Sequence, residues 1–201
     1  DFIPYPDGLL GLVIADVTDK GMPAALFMAS TKNILRASIE GCGNIAEGVT
    51  KANRLIEQES SDQLYISLVY ACLDPENGTL LYINAGHNPP LHFHAKNRIF
   101  TRFNQSGMWM GVDANAVYTQ ETEIIELGDI IIFYTDGVTE AENNKGEPFG
   151  EKGLETAIRV KTDLTPPGLC QSVIQSVEKF TGTSELSDDI TLLIFKRQSR
   201  D

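Results

Sequence analysis

The chain is 201 residues long, 42% hydrophobic and 22% charged, with a formal net charge of −12. Its length and apolar content suffice for one well-buried domain, and its acidity excludes both a basic face for nucleic acid and adsorption to an anionic membrane. Cys42, Cys72 and Cys170 are far apart with no CxxC pair, which speaks against a thiolate zinc site and fits a reducing, cytoplasmic setting.

No apolar run is long enough to span a bilayer, and no signal peptide opens the chain. It begins at Asp1 and not at Met, as an excised domain would. A short strand over Asp1 to Ile3 is expected to pair, across the Asp7-Gly8 turn, with a second strand, LLGLVIAD. That second strand is apolar throughout, which predicts a central place with both faces covered. A helix follows from Pro23 to Ile39, with Pro23 in its first turn. Its opening PAALFMA is apolar nearly all round, so that end is expected to be buried, and Gly41 and Gly43 stop the helix. A second helix runs from Ile45 to about Gln58, with Asn44 and Glu47 as a capping pair and Ile45, Val49, Ala52 and Ile56 on one face.

LYISLVYACL and TLLYINA, joined by Asp74-Pro75-Glu76-Asn77-Gly78, read as an antiparallel hairpin. AGHNPP breaks the pattern. LHFH and RIFTRF, separated by Ala95-Lys96-Asn97, form another hairpin. After the loop QSGMWMGV come the strand YTQETEIIEL, a Gly128-Asp129 turn and the strand IIIFYT. The stretch after Asp136-Gly137 is polar; short helices follow from Phe149 to about Val160 and from Thr165-Pro166, the latter with Leu169, Val173, Val177 and Phe180 on one face. TGTSELSDD is a polar loop, ITLLIF the last strand, and KRQSRD a solvated tail. Tight turns imply antiparallel sheets. Strands apolar on both faces, such as IIIFYT and ITLLIF, need cover on each side. Two packed sheets with helices outside satisfy both.

Three apolar strands touch an aspartate. LVIAD ends at Asp16, IIIFYTD ends at Asp136, and DDITLLIF begins at Asp188 and Asp189. Taken alone, Asp16 reads as a turn or cap residue. In antiparallel sheets, however, one strand's end lies beside its neighbour's start, so these acids can gather at one rim, with Asp1 in reach. Close carboxylates repel unless cations bind them. Oxygen ligands without His or Cys select Mg²⁺ or Mn²⁺, and an ion pair can activate water for attack on phosphorus. That chemistry needs no protein nucleophile, and the sequence offers no Ser-His-Asp or Cys-based arrangement. His87, in a loop, and His92 and His94, alternating on a strand, read as structural.

ADVTDKGMPAALFMA, YINAGHNPPL, GDIIIFYTDGVTEAEN with GEPFG, and SDDITLLIF, in this order, resemble the SpoIIE-like branch of the PPM-type (type 2C) metal-dependent serine/threonine protein phosphatases. The resemblance implies an α+β fold, a four-layer α/β/β/α sandwich of two mainly antiparallel sheets flanked by helices, over residues 1–196, with 197–201 as the tail. It implies two Mn²⁺ or Mg²⁺ ions bridged by Asp16, one bound also by the Val17 carbonyl and the other by Asp136 and Asp188. Asp1 matches an acid that acts through water. Pattern does not choose between Asp188 and Asp189 as the ligand; the family motif favours Asp188. Asp19 stands where many relatives have Gly, which either tunes metal affinity or satisfies the turn. Lys20 is the nearest basic side chain. The resemblance further implies a phosphorylated protein substrate, such as an anti-sigma-factor antagonist, and an upstream sensor or receiver domain, and leaves room for a homodimer. The helices from Pro23 to Gln58 match the family's switch element; static cover is the simpler alternative. A catalytically silent module that binds a partner is the second functional reading, and a two-metal nuclease is disfavoured by the acidity.

Overall fold

The computed structural model describes residues 1–5, 7–40, 42, 44–60, 64–183 and 188–198. The expected helix stop at Gly41 and Gly43, residues 184–187 of the TGTSELSDD loop and the end of the KRQSRD tail lie outside the described residues. The chain divides into two compact units, Asp1–His87 with Asn104–Ile124, and Asn88–Phe103 with Ile125–Asp201.

The first unit holds β1 (Phe2–Pro4), β2 (Leu10–Val17), α1 (Met22–Ile39), α2 (Ile45–Glu59), β3 (Ile66–Leu73), β4 (Thr79–Ala85) and, later in the chain, β7 (Glu121–Ile124). Its sheet runs β1-β2-β3-β4-β7, and every neighbouring pair is antiparallel. The β2–β3 register puts Val13, Ala15 and Val17 opposite Tyr70, Leu68 and Ile66. Paired residues share a face, and this one packs with α1 and α2 in a single apolar core. Leu12, Ile14 and Asp16 occupy the other face.

The expected face of α2 is buried, through Ile45, Val49, Ala52 and Ile56. Ile45, Val49 and Ile56 each contribute roughly 1.5–3 kcal/mol by leaving water, and the Ala52 methyl less. Its start is a reciprocal cap: Glu47 N donates to Asn44 Oδ1 at 2.9 Å, and Asn44 Nδ2 donates to Glu47 Oε1 at 3.1 Å. Gly48 lets α1 approach, since a Cβ there would lie 2.8 Å from Ile39 Cα. Asn53 is fully buried and satisfied: it donates to the Asp113 carbonyl at 2.8 Å and accepts from Gly111 N at 2.9 Å and from the Tyr118 hydroxyl at 3.2 Å.

The opening of α1 departs from the sequence expectation. Ala24 and Phe27 are buried, but Met22 is 73% and Leu26 64% exposed. An all-round apolar helix turn says only that burial would be favourable; here the sheet covers one side of it.

The second unit holds β5 (Leu91–His94), β6 (Ile99–Arg102), β8 (Ile130–Tyr134), α3 (Asp136–Thr139), α4 (Gly150–Arg159), α5 (Pro166–Thr181) and β9 (Leu192–Lys196). Its sheet runs β6-β5-β8-β9, again antiparallel throughout. Leu91, Phe93, Ile130, Ile132 and Tyr134 pack against Leu154, Ile158, Leu169, Val173 and Val177 of α4 and α5. β8 is buried at every position, as its apolar run requires, whereas β9 is only half-buried along its length.

Two boundaries differ from the sequence reading. β9 begins at Leu192, so Asp188 and Asp189 precede the strand by three residues or more and do not open it. The polar stretch after Asp136 begins with the single turn α3, too short to leave a periodic pattern. Arg197, read as tail, is tied in: Gly128 N donates to its carbonyl at 2.8 Å and its own N–H donates to the Asp129 carbonyl at 3.1 Å. Among the described residues no helix is long and apolar enough to cross a membrane.

Candidate functional site

In the first unit Asp16 is the penultimate residue of β2, directly opposite Ser67 of β3 and on the face turned away from α1 and α2. Val17, the expected carbonyl ligand, closes the strand opposite Ile66. The chain then turns through a clasp. Thr18 N and Oγ1 both donate to the Tyr65 carbonyl, at 3.0 and 3.1 Å, and Tyr65 N donates to Thr18 Oγ1 at 3.1 Å. Asp19 has φ +76°, the left-handed region, and its Oδ1 accepts from Lys20 N at 2.8 Å. A short acceptor side chain is what eases an L-residue into that region, so Asp19 serves the turn.

Behind Ser67 lies a polar chain that the sequence reading left as a plain loop. Ser67 Oγ is 2.7 Å from His87 Nδ1, His87 N donates to Asn84 Oδ1 at 2.8 Å, and Asn84 N donates to Ser106 Oγ at 2.9 Å. His87 and Asn84 are both buried. The AGHNPP motif therefore stands beside the strand pair that carries Asp16, and only the register of β2 on β3 reveals it.

Asp1 goes elsewhere. Its main chain pairs with Val13, through Val13 N to its carbonyl at 3.0 Å and its ammonium to the Val13 carbonyl at 2.8 Å. Val13 belongs to the helix-covered face of β2, and the Asp1 carboxylate meets α1, 3.1 Å from Arg36 Nε and 3.4 Å from Lys32 Nζ. Asp1 and Asp16 are thus on opposite faces of their sheet.

In the second unit the backbone segments that carry Asp136, Asp188 and Asp189 meet. β8 ends beside the approach to β9, with Tyr134 opposite Leu192. Thr135 bridges the two segments: its N–H donates to the Thr191 carbonyl at 3.1 Å, Thr191 N donates to its Oγ1 at 3.0 Å, and that Oγ1 donates to the Asp189 carbonyl at 3.3 Å. Asp136 follows as the first residue of α3. Gly137 is pressed on the Asp188-Asp189 backbone so closely that a Cβ would stand 2.3 Å from the Asp189 carbonyl oxygen. The Asp-Gly pair is thereby explained: the glycine lets the segment bearing Asp188 and Asp189 lie against the residue after Asp136. Asp188 Oδ1 accepts from Asp189 N at 2.8 Å.

These donors are oxygens only, carboxylates and one carbonyl, and in the second unit two acid-bearing segments share one strand end. The residues fit hard divalent cations and do not fit zinc. Asp16 and Val17 belong to the first unit, and Asp136, Asp188 and Asp189 to the second.

The family model of Stage II sporulation protein E (SpoIIE) matches residues 6–198. The chain belongs to the SpoIIE family. It is 28% identical over 190 residues to phosphoserine phosphatase RsbU of Bacillus subtilis, a match that covers 94% of this chain and 56% of RsbU. The SpoIIE-family chain thus spans about half the length of that relative. Among solved structures it resembles the RsbU and RsbW domains of a Mycobacterium tuberculosis protein, with TM-score 0.82 and 24% identity, over 100% of this chain and 56% of that one. It also resembles the PP2C phosphatase domain, solved with a fragment of the regulatory domain, of SpoIIE from Bacillus subtilis, with TM-score 0.78 and 16% identity, over 96% and 56% of the two chains. RsbX, solved in complex with magnesium, shares the fold at TM-score 0.65 and 15% identity, over 96% and 83%. The fold class expected from the sequence, α+β with two antiparallel sheets and flanking helices of the PPM phosphatase type, is the one these likenesses show.

Proposed function

We propose that this SpoIIE-family domain is a metal-dependent protein serine/threonine phosphatase acting on phosphoserine or phosphothreonine. The observation that carries the reading is the main-chain seam at Gly137, which sets Asp136 beside the Asp188 segment in a chain of this family. Asp16 with the Val17 carbonyl, and Asp136 with Asp188, are the residues that would hold Mn²⁺ or Mg²⁺, two ions in all. Asp189, which follows Asp188 on the same loop, is the alternate donor. When bound, such ions lower the pKa of water and offset charge on phosphoryl oxygens. The protein's own part is to supply the anionic oxygens and hold them still. Thr135 and Gly137 fix the backbone on either side of Asp136, and the β2–β3 register fixes Asp16 beside Ser67 and its partner His87. Asp1, held by Lys32 and Arg36 on the helix-covered face, is left out of the proposed metal-holding residues.

The substrate is a phosphorylated protein. The likeness to RsbU, and to a protein in which RsbU and RsbW domains occur together, supports an anti-sigma-factor antagonist in bacterial signalling. RsbU extends well beyond the matched region, which supports an output domain governed by an upstream sensor or receiver, and the unpaired cysteines support a cytoplasmic setting.

The test is hydrolysis of a phosphoserine peptide, and of p-nitrophenyl phosphate, by the full chain with Mn²⁺. Asp16→Asn and Asp136→Asn are each expected to lower kcat by about a hundredfold or more, since each removes a charge from the metal-holding set. Variants as active as the parent would overturn the assignment. A parent that titrates no Mn²⁺ would favour the silent signalling module.

A further inference from the structure

One cluster of ligand-type side chains takes no part in the chemistry above. His92 and His94 alternate on β5 and so share a face, with ring centroids 3.8 Å apart. Asp129, just before β8, faces them. Its Oδ2 is 2.9 Å from His92 Nε2 and 3.9 Å from His94 Nδ1. β8 separates Asp129 from Asp136, so this cluster and the Asp136 acid sit at opposite ends of one strand.

The geometry points to a second metal site, in which His92 Nε2, His94 Nδ1 and Asp129 Oδ2 bind one borderline divalent cation of the Zn²⁺ type. Three observations carry this. The first is ligand chemistry. Two imidazoles and one carboxylate suit zinc, cobalt or ferrous iron, unlike the all-oxygen acids assigned to Mn²⁺ or Mg²⁺. The second is spacing. The three ligand atoms lie within 4.8 Å of one another. With bonds of about 2.0–2.2 Å, two ligands of a tetrahedral ion stand roughly 3.3–3.6 Å apart, so His92 Nε2 opens slightly from Asp129 Oδ2, His94 Nδ1 closes on it by a few tenths of an ångström, and the two rings adjust to the same spacing.

The third is the support around the ligands. Asp129 Oδ1 accepts from Ala95 N at 2.8 Å and Oδ2 from Glu126 N at 3.0 Å, which locks the carboxylate in place. His94 Nε2 is 2.8 Å from Thr101 Oγ1; with Nε2 donating there, Nδ1 turns its lone pair toward the Asp129 side. His92 is 0% and Asp129 2% exposed, while His94 at 28% leaves an entry. The cation takes the place of the proton between His92 Nε2 and Asp129 Oδ2: a neutral His92 then carries its one proton on Nδ1, and a protonated His92 gives its second proton to solvent. Three protein ligands leave a fourth position for water. The site's direct consequence is a clamp between β5 and the turn that opens β8.

The test uses the full chain, stripped with EDTA and then held in excess Mg²⁺ to occupy the hard-oxygen sites, with Co²⁺ as the probe. The expected result is one equivalent of Co²⁺ taken up with visible ligand-field absorption, together with a raised Tm. His94→Ala, at a partly exposed position where folding survives, is expected to weaken Co²⁺ binding at least about tenfold and to abolish the Tm gain. Thr101→Val is expected to weaken it less. No Co²⁺ uptake above the Mg²⁺ background, or equal affinity in parent and His94→Ala, overturns the site and leaves the cluster a buried His–Asp pair. The readout is binding, so failure of the phosphatase reading would leave this result unaffected.

Discussion

Two strand ends in this molecule carry an acid and lead into a helix, and they are built differently. After Asp16, at the end of β2, the chain spends four residues in a turn before α1, held by the Thr18–Tyr65 clasp and by left-handed Asp19 and Gly21. After β8, Asp136 is already the first residue of α3, and Gly137 is jammed against the Asp189 carbonyl. The first acid is located by sheet register and a hydrogen-bonded loop, which can deform gradually. The second is located by main-chain packing at van der Waals limits, which cannot. The contrast teaches that the Asp136 end is seated by close backbone packing, whereas the Asp16 end is set by the hydrogen bonds of the turn that precedes α1.

The largest effect that would test this contrast is on activity and metal binding together. Asp16→Asn and Asp136→Asn should both abolish most turnover, but a conservative change beside each acid should separate them. Gly137→Ala forces the Asp188-Asp189 segment to shift and is expected to cost about 1–3 kcal/mol of stability along with Mn²⁺ affinity. If thermal melts and Mn²⁺ titration of Gly137→Ala match the parent, the rigid seat does not exist.

Alkaline unfolding is the next test. Tyr70, on β3 beside β2, and Tyr134, two residues before Asp136, are buried phenols whose pKa values are raised above the ordinary 10.0, chiefly by burial. The folded state holds these protons more tightly than the unfolded chain does. Their contribution is therefore intact below about pH 10 and is lost as pH climbs from there toward the folded-state values. Melts between about pH 9 and 11 should show Tyr134→Phe and Tyr70→Phe each with a shallower fall than the parent. A slope unchanged in both would mean that neither phenol is protected.

The smallest effect belongs to the loop at Asp16. Asp19→Gly relieves a left-handed L-residue but loses the hydrogen bond to Lys20 N, and should change stability by no more than about 1 kcal/mol, with Mn²⁺ affinity within about twofold of the parent. A tenfold shift in Mn²⁺ affinity would show that Asp19 tunes the metal site and does not merely shape the turn.

Much of this architecture was legible in the sequence because the deciding interactions are local. Asp74 accepts from Glu76 N and Asn77 N inside its own turn, and Asn44 and Glu47 cap α2 from three residues apart. What escaped is non-local. His92 reads as an ordinary strand residue until β5 is placed on β8, which brings it to Asp129, thirty-seven positions away. The polar chain from Ser67 to His87 needs the sheet register, and the exposed Met22 and Leu26 need to know which side of α1 the sheet covers. Of the candidate site, the aspartates at strand ends were visible as residue types. Their company was not: Asp1 reads as an acid in reach of the same rim, and only the salt bridges to Lys32 and Arg36 show it turned to the helix side.

The seam at Gly137 has an evolutionary corollary. Because the two segments meet through backbone atoms and the Thr135 hydroxyl, the side chains at 188 and 189 are not what the seam is built from. Exchange of either acid can therefore leave the seam itself standing, at the cost, for Asp188, of the hydrogen bond from Asp189 N. Glycine at 137 is the single letter in that neighbourhood with no such latitude.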